Sequence, residues 1–407
     1  MADRGAGASP ISPALVLTLG LLAATAPLSL DAYLPALPAI ATEFGVSAQQ
    51  AQLSFTACLL GLGVGQILAG PLGDRWGRRG PMLAGAGLYV ISSLACAVAP
   101  TAGALIVLRL IQGLAGAVGL VLSRAVVHDL VKGRSAVSLY SQLAAISGAA
   151  PVIAPIAGGL IITVADWRVV FVVLAGLGVV TAAAVFFTVG ETHPVDRRSS
   201  AGLATVMRTF RSLLRDRTFA VYATLVMLSS AVLFSYIAST PFVLQTVFGL
   251  TQMQFALSFA AVGGALVLAS VFNARLVRRH QPLVVLRIAA IVQLLGIAAL
   301  GALIAVRLFT GWTSIPLLIV LLTWSIAPCG IITPTSVSLA MERSGRHAGA
   351  ASGLLGASMF LVGGLVSPLS GSGNPAAIMA ILMLSFSLAI TIVTHSRGRR
   401  RRTDSAP

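Results

Sequence analysis

Twelve apolar runs, each long enough to cross a bilayer as a helix, divide this chain of 407 residues and leave little else for it to fold into. A membrane-crossing helix needs roughly 20 apolar residues. Such runs lie near 14–40, 49–73, 81–99, 102–126, 136–164, 169–190, 218–247, 254–274, 284–306, 313–338, 348–370 and 375–394. Inside hydrocarbon every backbone N–H and C=O must be satisfied within the protein, so the runs are expected as helices. Only 9% of residues are charged, against about 25% in a soluble domain. The first run, from Ala14, is long and flows into a proline-rich segment, so it reads as a span and not as a cleavable signal.

The net charge of +16 could suggest nucleic acid. A nucleic-acid footprint gathers its basic residues on one face, whereas here they are split into short clusters between apolar runs. Numbering the runs as spans 1 to 12, the tails and the loops after even-numbered spans hold 24 of the 27 basic residues. Among them are Arg4, Arg75, Arg78, Arg79, Lys132, Arg134, Arg197, Arg346 and the run from Arg397 to Arg402. The loops after odd spans hold only Arg168 and Arg307. The excess of arginine and lysine in short loops marks the cytoplasmic side, so both termini are expected there. The terminal arginine run reads as a stop signal before a lipid contact. Heavy use of arginine, with a single lysine, points to a GC-rich bacterial genome; a bacterial cytoplasmic (inner) membrane is the expected location.

The longest polar interval, Glu191 to Arg217, follows span 6. It divides the chain into 1–190, a linker 191–217 and 218–407, each flanking part holding six spans. Arg75-x-x-Arg78-Arg79 after span 2 recurs as Arg275-x-x-Arg278-Arg279 after span 8. Two repeated halves with a site between them is the logic of many secondary transporters. No phosphate-cradling loop exists, because the one lysine, Lys132, follows Val131 where such a loop needs glycine. Intramembrane protease or esterase motifs are missing as well, so no enzyme is expected. The five histidines fall in loops or the tail and the three cysteines inside spans. No metal site, disulfide framework or cofactor follows, and an ion or proton gradient remains as the energy source.

Asp31 is the one acidic residue in the interior of an apolar run, and Arg109 the one basic residue so placed. An ionised group at mid-membrane costs at least about 2.5 kcal/mol, so both read as functional groups. Span 1 ends near Ile40, and Arg109 sits early in span 4. At 1.5 Å per residue both lie roughly 10–14 Å below the outer surface, a depth that permits a contact.

The loop after span 2 reads Gly70-Pro-Leu-Gly-Asp74-Arg75-Trp-Gly77-Arg78-Arg79. It resembles the signature of the major facilitator superfamily, at the place where that family carries it. The resemblance implies a major facilitator fold: all-α, twelve transmembrane helices in two pseudo-symmetric six-helix bundles. It also implies that Asp74 docks on the N-terminus of span 11, near Gly349, and latches the cytoplasmic side shut. Helix N-termini favour an anion. Leu105-x-x-x-Arg109-x-x-Gln112-Gly113 in span 4 resembles a second motif of the proton-coupled branches. Gly148-Ala-Ala-Pro151-Val-Ile-Ala-Pro155-Ile-Ala-Gly158-Gly159 in span 5 is similar to the family's antiporter motif, with Ala154 where many members have glycine. Small residues also let helices pack closely, and spacing alone does not separate these two readings.

Pro27-Leu-Ser-Leu-Asp31-Ala-Tyr33-Leu-Pro35-Ala-Leu-Pro38, Asp166-Trp167-Arg168, Glu191-Thr192 and Pro241-Phe242-Val243 narrow the resemblance. Together they resemble the bicyclomycin/chloramphenicol-efflux (Bcr/CflA) branch of drug:proton antiporters. Burial and a nearby guanidinium act in opposite directions on a carboxyl's proton, so Asp31 is expected as the proton carrier and Arg109 as its regulator. The resemblance implies a small-molecule drug as partner, and a monomer within the lipid bilayer is expected. Drug-site candidates from the spans that line the family's cavity are Tyr33, Gln66, Gln112, Gln142, Phe234, Tyr236, Gln245, Phe259, Trp324 and Phe360. Some multidrug relatives have two acids in span 1 where this chain has one, which argues against dicationic substrates. The expected function is export of small, mostly neutral antibiotics in exchange for protons. The alternatives are a facilitator for a metabolite such as an amino acid or sugar, and a membrane sensor that transports nothing.

Overall fold

The computed structural model describes residues 12–131, 133–198, 203–371 and 373–403. Arg4 and Lys132 lie outside the described residues, as do the side chains of Arg134, Arg197, Arg346 and the 397–402 run. The described chain is helical, without a strand. The helices long and apolar enough to cross a membrane are Pro13–Glu43, Ala48–Trp76, Arg79–Ala97, Ala102–Leu130, Ser138–Val164 and Arg168–Thr188, then Arg217–Val247, Gln252–Arg279, Pro282–Thr310, Ile315–Met341, Ala348–Leu369 and Pro375–Ser396. They fall on the twelve expected runs and keep their numbers as spans 1 to 12.

Five spans are not single helices, and proline accounts for each break, because it has no N–H for the carbonyl four residues back. Span 1 runs as a helix over Pro13–Asp31, tightens to a 3-10 turn at Leu34–Ala36 and resumes over Leu37–Glu43. Pro35 leaves the Asp31 carbonyl without its helical donor. Span 5 stops at Gly148 and restarts at Ala150, with Pro151 in the first turn. Span 7 passes Pro241 and ends in a π-helical turn, Val243–Val247. Span 10 breaks at Ala327–Pro328. Span 11 passes at Val366 into a 3-10 turn, Ser367–Gly371, that contains Pro368.

The two bundles are pseudo-symmetric in their packing. Span 1 packs on 4, 5 and 6, span 2 on 4, and span 3 on 4 and 6; spans 7, 8 and 9 repeat this with 10, 11 and 12. The repeat is written most plainly at the start of spans 2 and 8. Phe44-Gly45-Val46-Ser47-x-x-Gln50 and Phe248-Gly249-Leu250-Thr251-x-x-Gln254 each place a glycine at positive φ before a reciprocal cap of the helix N-terminus. The arginine echo is a weaker equivalence. Arg78 and Arg79 lie beyond the end of span 2, past the turn at Gly77, whereas Arg275, Arg278 and Arg279 are still inside span 8.

Between the bundles, span 2 packs on 11 and span 5 on 8. Gly63 and Gly364 face Leu361 and Leu60 across the first contact, and Gly159 and Gly263 face Ala256 and Pro151 across the second. The linker contains a helix, Leu203–Arg215, that touches spans 2, 7 and 11.

Candidate functional site

Arg109 is 0% exposed, and among the described residues no carboxylate pairs with it. Its guanidinium donates to Gln112 Oε1 (2.5 Å) and to the Ser29 carbonyl (3.2 Å), and lies 4.1 Å from the centre of the Tyr33 ring. Gln112 in turn donates to Ser93 Oγ, and Ser29 Oγ bonds the Tyr89 hydroxyl. The Nε–H finds no partner. A desolvated cation held by neutral dipoles and a π face alone is under-compensated.

The contact of Asp31 with Arg109 that matching depth permits is not made. Rotation about the helix axis is the reason. Ser29 and Tyr33, four residues apart, share the face turned to span 4. Asp31 is two residues from each, about 200° round the helix. It is 6% exposed and lies within electrostatic reach of Tyr236 in span 7. Tyr236 stacks on Phe259 (5.5 Å, 19°), and its hydroxyl is buried without a partner. Phe234 sits between Phe55 and Phe360 at 6.4 and 6.0 Å. Gln66, buried with an unpaired amide nitrogen, faces Gly356 of span 11. Asp31, Gln66, Phe234, Tyr236, Phe259 and Phe360 thus gather where the bundles meet.

The other drug-site candidates do not gather there. Tyr33 and Gln112 belong to the surroundings of Arg109 inside the first bundle. Gln142 is exposed and bonds Ser138 of its own helix at 3.4 Å. Trp324 is 43% exposed, on the outer face of span 10 against Gly296. Gln245 is part of a closure: its amide donates to the Pro35 carbonyl (3.2 Å), in the broken part of span 1. Gln52, fully buried, donates to the Ala238 carbonyl of span 7 (2.8 Å). These are the hydrogen bonds joining the two bundles among the described residues, and both lie at the end opposite the arginine-rich loops. Sequence reading missed Gln52, although glutamine facing a proline-broken helix is the available signal.

A lost side-chain hydrogen bond is worth about 1 kcal/mol, roughly a fivefold change in a two-state population. Gln52→Leu is therefore expected to raise the population open at that end about fivefold. Spin labels on Gln49 and Thr310 would report it as a longer distance component. An unchanged distribution would remove Gln52 from the closure.

In span 5, Gly158 lies so close to span 1 that a Cβ would meet the Ala32 carbonyl oxygen, beside Asp31. Gly148 faces open space, at the helix break. Pro151, Pro155 and Gly159 complete a segment wedged between spans 1 and 8.

At the arginine-rich end, Asp74 accepts from Arg78 Nη1 (2.7 Å) and its side chain is 50% exposed. The expected contact with the first turn of span 11 is therefore not made in this conformation, and Gly349 faces open space. Arg78 also donates to Asp129 (3.0 Å), and both acids stabilise its charged form against the cost of burial. Gly77, at φ 86°, leaves room for the Glu191 carboxylate, which accepts the N–H groups of Arg78 (2.8 Å), Arg79 (3.3 Å) and His193 (2.9 Å). Burial works to raise the Glu191 carboxyl, and these donors with Arg198 outweigh it and hold it below the usual carboxylate range. Arg79 bonds the Phe186 carbonyl, Arg75 is exposed, and Gly70 faces open space. Asp129 and Glu191, which the motif does not include, complete its charge network.

A family model described as the Major Facilitator Superfamily matches residues 19–368. The uncharacterized MFS-type transporter YdgK of Bacillus subtilis is 36% identical over 94% of this chain and 96% of its own. The bicyclomycin resistance protein homolog of Haemophilus influenzae is 29% identical over 88% of each chain, and a chloramphenicol resistance protein of Pseudomonas aeruginosa 29% over 95% and 92%. Among solved structures, the xylose transporter XylE of E. coli in a partially occluded inward-open conformation gives a TM-score of 0.74 at 16% identity, covering 95% of this chain and 98% of that one. At that identity the likeness speaks for the fold alone.

Proposed function

Since the chain belongs to the Major Facilitator Superfamily, we propose that it is a proton-coupled antiporter exporting small, mostly neutral antibiotics by alternating access. It works in a bacterial inner membrane with both termini in the cytoplasm. The moving units are 1–190 and 218–407, joined by the linker 191–217. The observation that carries the reading is the separation of Asp31 and Arg109: a buried acid and a buried base in adjacent helices, each without an ionic partner among the described residues.

A carboxylate sealed from water without a cation is more stable as the neutral acid. Asp31 therefore carries its proton in the conformation joined at the outer end. A turn of span 1 against span 4 brings Asp31 to the guanidinium of Arg109, which stabilises the carboxylate and releases the proton. Drug seated among Phe234, Tyr236, Phe259 and Phe360 favours one arrangement of the halves and so competes with the proton. When the arginine-rich end closes, Asp74 leaves Arg78 for the N-terminus of span 11.

The names of the bicyclomycin and chloramphenicol resistance relatives support antibiotics as substrates. With Asp31 as the sole acid, a dication would leave one charge uncompensated in low dielectric. Expression in an efflux-deficient bacterium is expected to raise resistance to chloramphenicol- or bicyclomycin-like compounds, with the effect lost on adding a protonophore. Resistance to a dicationic dye alone would overturn the substrate class. Proton-independent movement of an amino acid or sugar would favour the metabolite facilitator.

A further inference from the structure

The pseudo-symmetry fails in one place that the transport cycle does not explain. Spans 2 and 4 of the first bundle close on each other through glycine: Gly61 and Gly65 face the Leu110 and Leu114 carbonyls, and Gly113 the Cys58 carbonyl. In the second bundle the partner of span 4 is the broken span 10, and of these contacts only that of Gly330 with the Leu266 carbonyl is repeated. Two adjoining cavities of about 240 and 570 Å³ lie between spans 8, 9 and 10. They share Val292, Pro328 and Ile331, and so form one apolar furrow on the outer face, from His280 to Trp324 and beyond.

The end of this furrow is basic in a way the first bundle is not. There, Arg78 is occupied by Asp74 and Asp129. In the second bundle Arg275, Arg278 and Arg279 are exposed in the last turns of span 8, and among the described residues none has an ion-pair partner. Ala274 stands four residues before Arg278, the spacing at which Asp74 precedes Arg78. Arginines at a helix C-terminus also suit the helix dipole and a membrane interface. Neither of those roles requires an apolar slot beside them.

We propose that the furrow and Arg279 form a site for one anionic phospholipid. Its phosphate lies against Arg279 and His280, at the end that Leu276 and His280 line, and an acyl chain fills the slot left by the break in span 10. Arg278, two residues from both Leu276 and His280, is about 200° round the helix and points away from the slot. The occupant is a lipid and not a free anion or a peptide, because the slot opens on the face that the bilayer covers and its walls are apolar. A bound chain there replaces the packing that glycine supplies between spans 2 and 4, and so stiffens span 10 where it is interrupted.

The test uses purified full-length protein in phosphatidylcholine vesicles, titrated with brominated phosphatidylglycerol or brominated phosphatidylcholine. The quenching that disappears in Trp324→Phe isolates the reporter inside the furrow. Each arginine near a membrane surface contributes roughly a fivefold preference for an anionic lipid. Wild type is expected to show Trp324 quenched at a concentration of phosphatidylglycerol at least about fivefold below that of phosphatidylcholine. Arg279→Gln should remove the preference. Arg278→Gln, a change of the same charge on the opposite face of span 8, should leave it unchanged. Quenching by brominated phosphatidylcholine must persist in each variant, which checks that the furrow is still formed. Equal quenching by the two lipids in wild type, or a preference untouched by Arg279→Gln, would mean ordinary lipid contact and overturn the site. No drug or proton gradient enters the measurement, so its failure is separable from failure of the transport assignment.

Discussion

Asp31→Asn protein is expected to bind a neutral drug within about tenfold of the wild-type affinity and to lose its gradient-driven accumulation. Asparagine matches the protonated acid in shape and neutrality, so the aromatic cluster between the bundles keeps its form. What is lost is the ability to release a proton when Arg109 approaches. Drug-evoked proton release from purified protein should vanish, and a pH gradient across inverted vesicles should no longer concentrate drug. If the variant released protons and accumulated drug like wild type, Asp31 would not be the carrier. The remaining carboxylates all lie in loops, tails or span ends, and the carrier would have to be sought there.

The second large effect is expected within one motif, at two glycines with opposite outcomes. Gly158→Ala places a methyl group against the Ala32 carbonyl oxygen, and a backbone atom in span 1 has no rotamer by which to yield. Overpacking of this kind costs about 1–3 kcal/mol, and here it falls next to Asp31, on the contact that spans 1 and 5 must keep. Transport should fall at least about tenfold, with a lowered thermal midpoint in detergent. Gly148→Ala adds its methyl group to open space and should leave both near wild type. Equal effects of the two substitutions would mean that the motif acts through the helix break and not through close packing.

Most of the fold was legible because the bilayer enforces it. Apolar runs of this length have one economical structure, and proline marks where spans 1, 5, 7, 10 and 11 depart from it. The internal repeat was legible too, but in Phe-Gly-x-Ser/Thr-x-x-Gln, whose turn and cap are local chemistry, more than in the arginine echo. Arginines recur in such loops for electrostatic reasons, whatever the geometry around them.

The site was legible in its residue types and not in its connections. Sequence alone singled out Asp31 and Arg109, because a charge in an apolar run is costly and therefore conspicuous. Depth along the helix followed from residue counting, but contact also depends on rotation about the axis, and the structure turns Ser29 and Tyr33 to Arg109 while Asp31 makes no ion pair with it. Tertiary packing likewise decided that Trp324 lies on the outer face and that Gln245 joins the bundles. It also brought Asp129 and Glu191 to a motif more than 50 residues away. The sequence determined which segments enter the membrane, because transfer of apolar surface is a property of each segment by itself. Only the tertiary structure decided which faces meet, because that depends on the helices around each one.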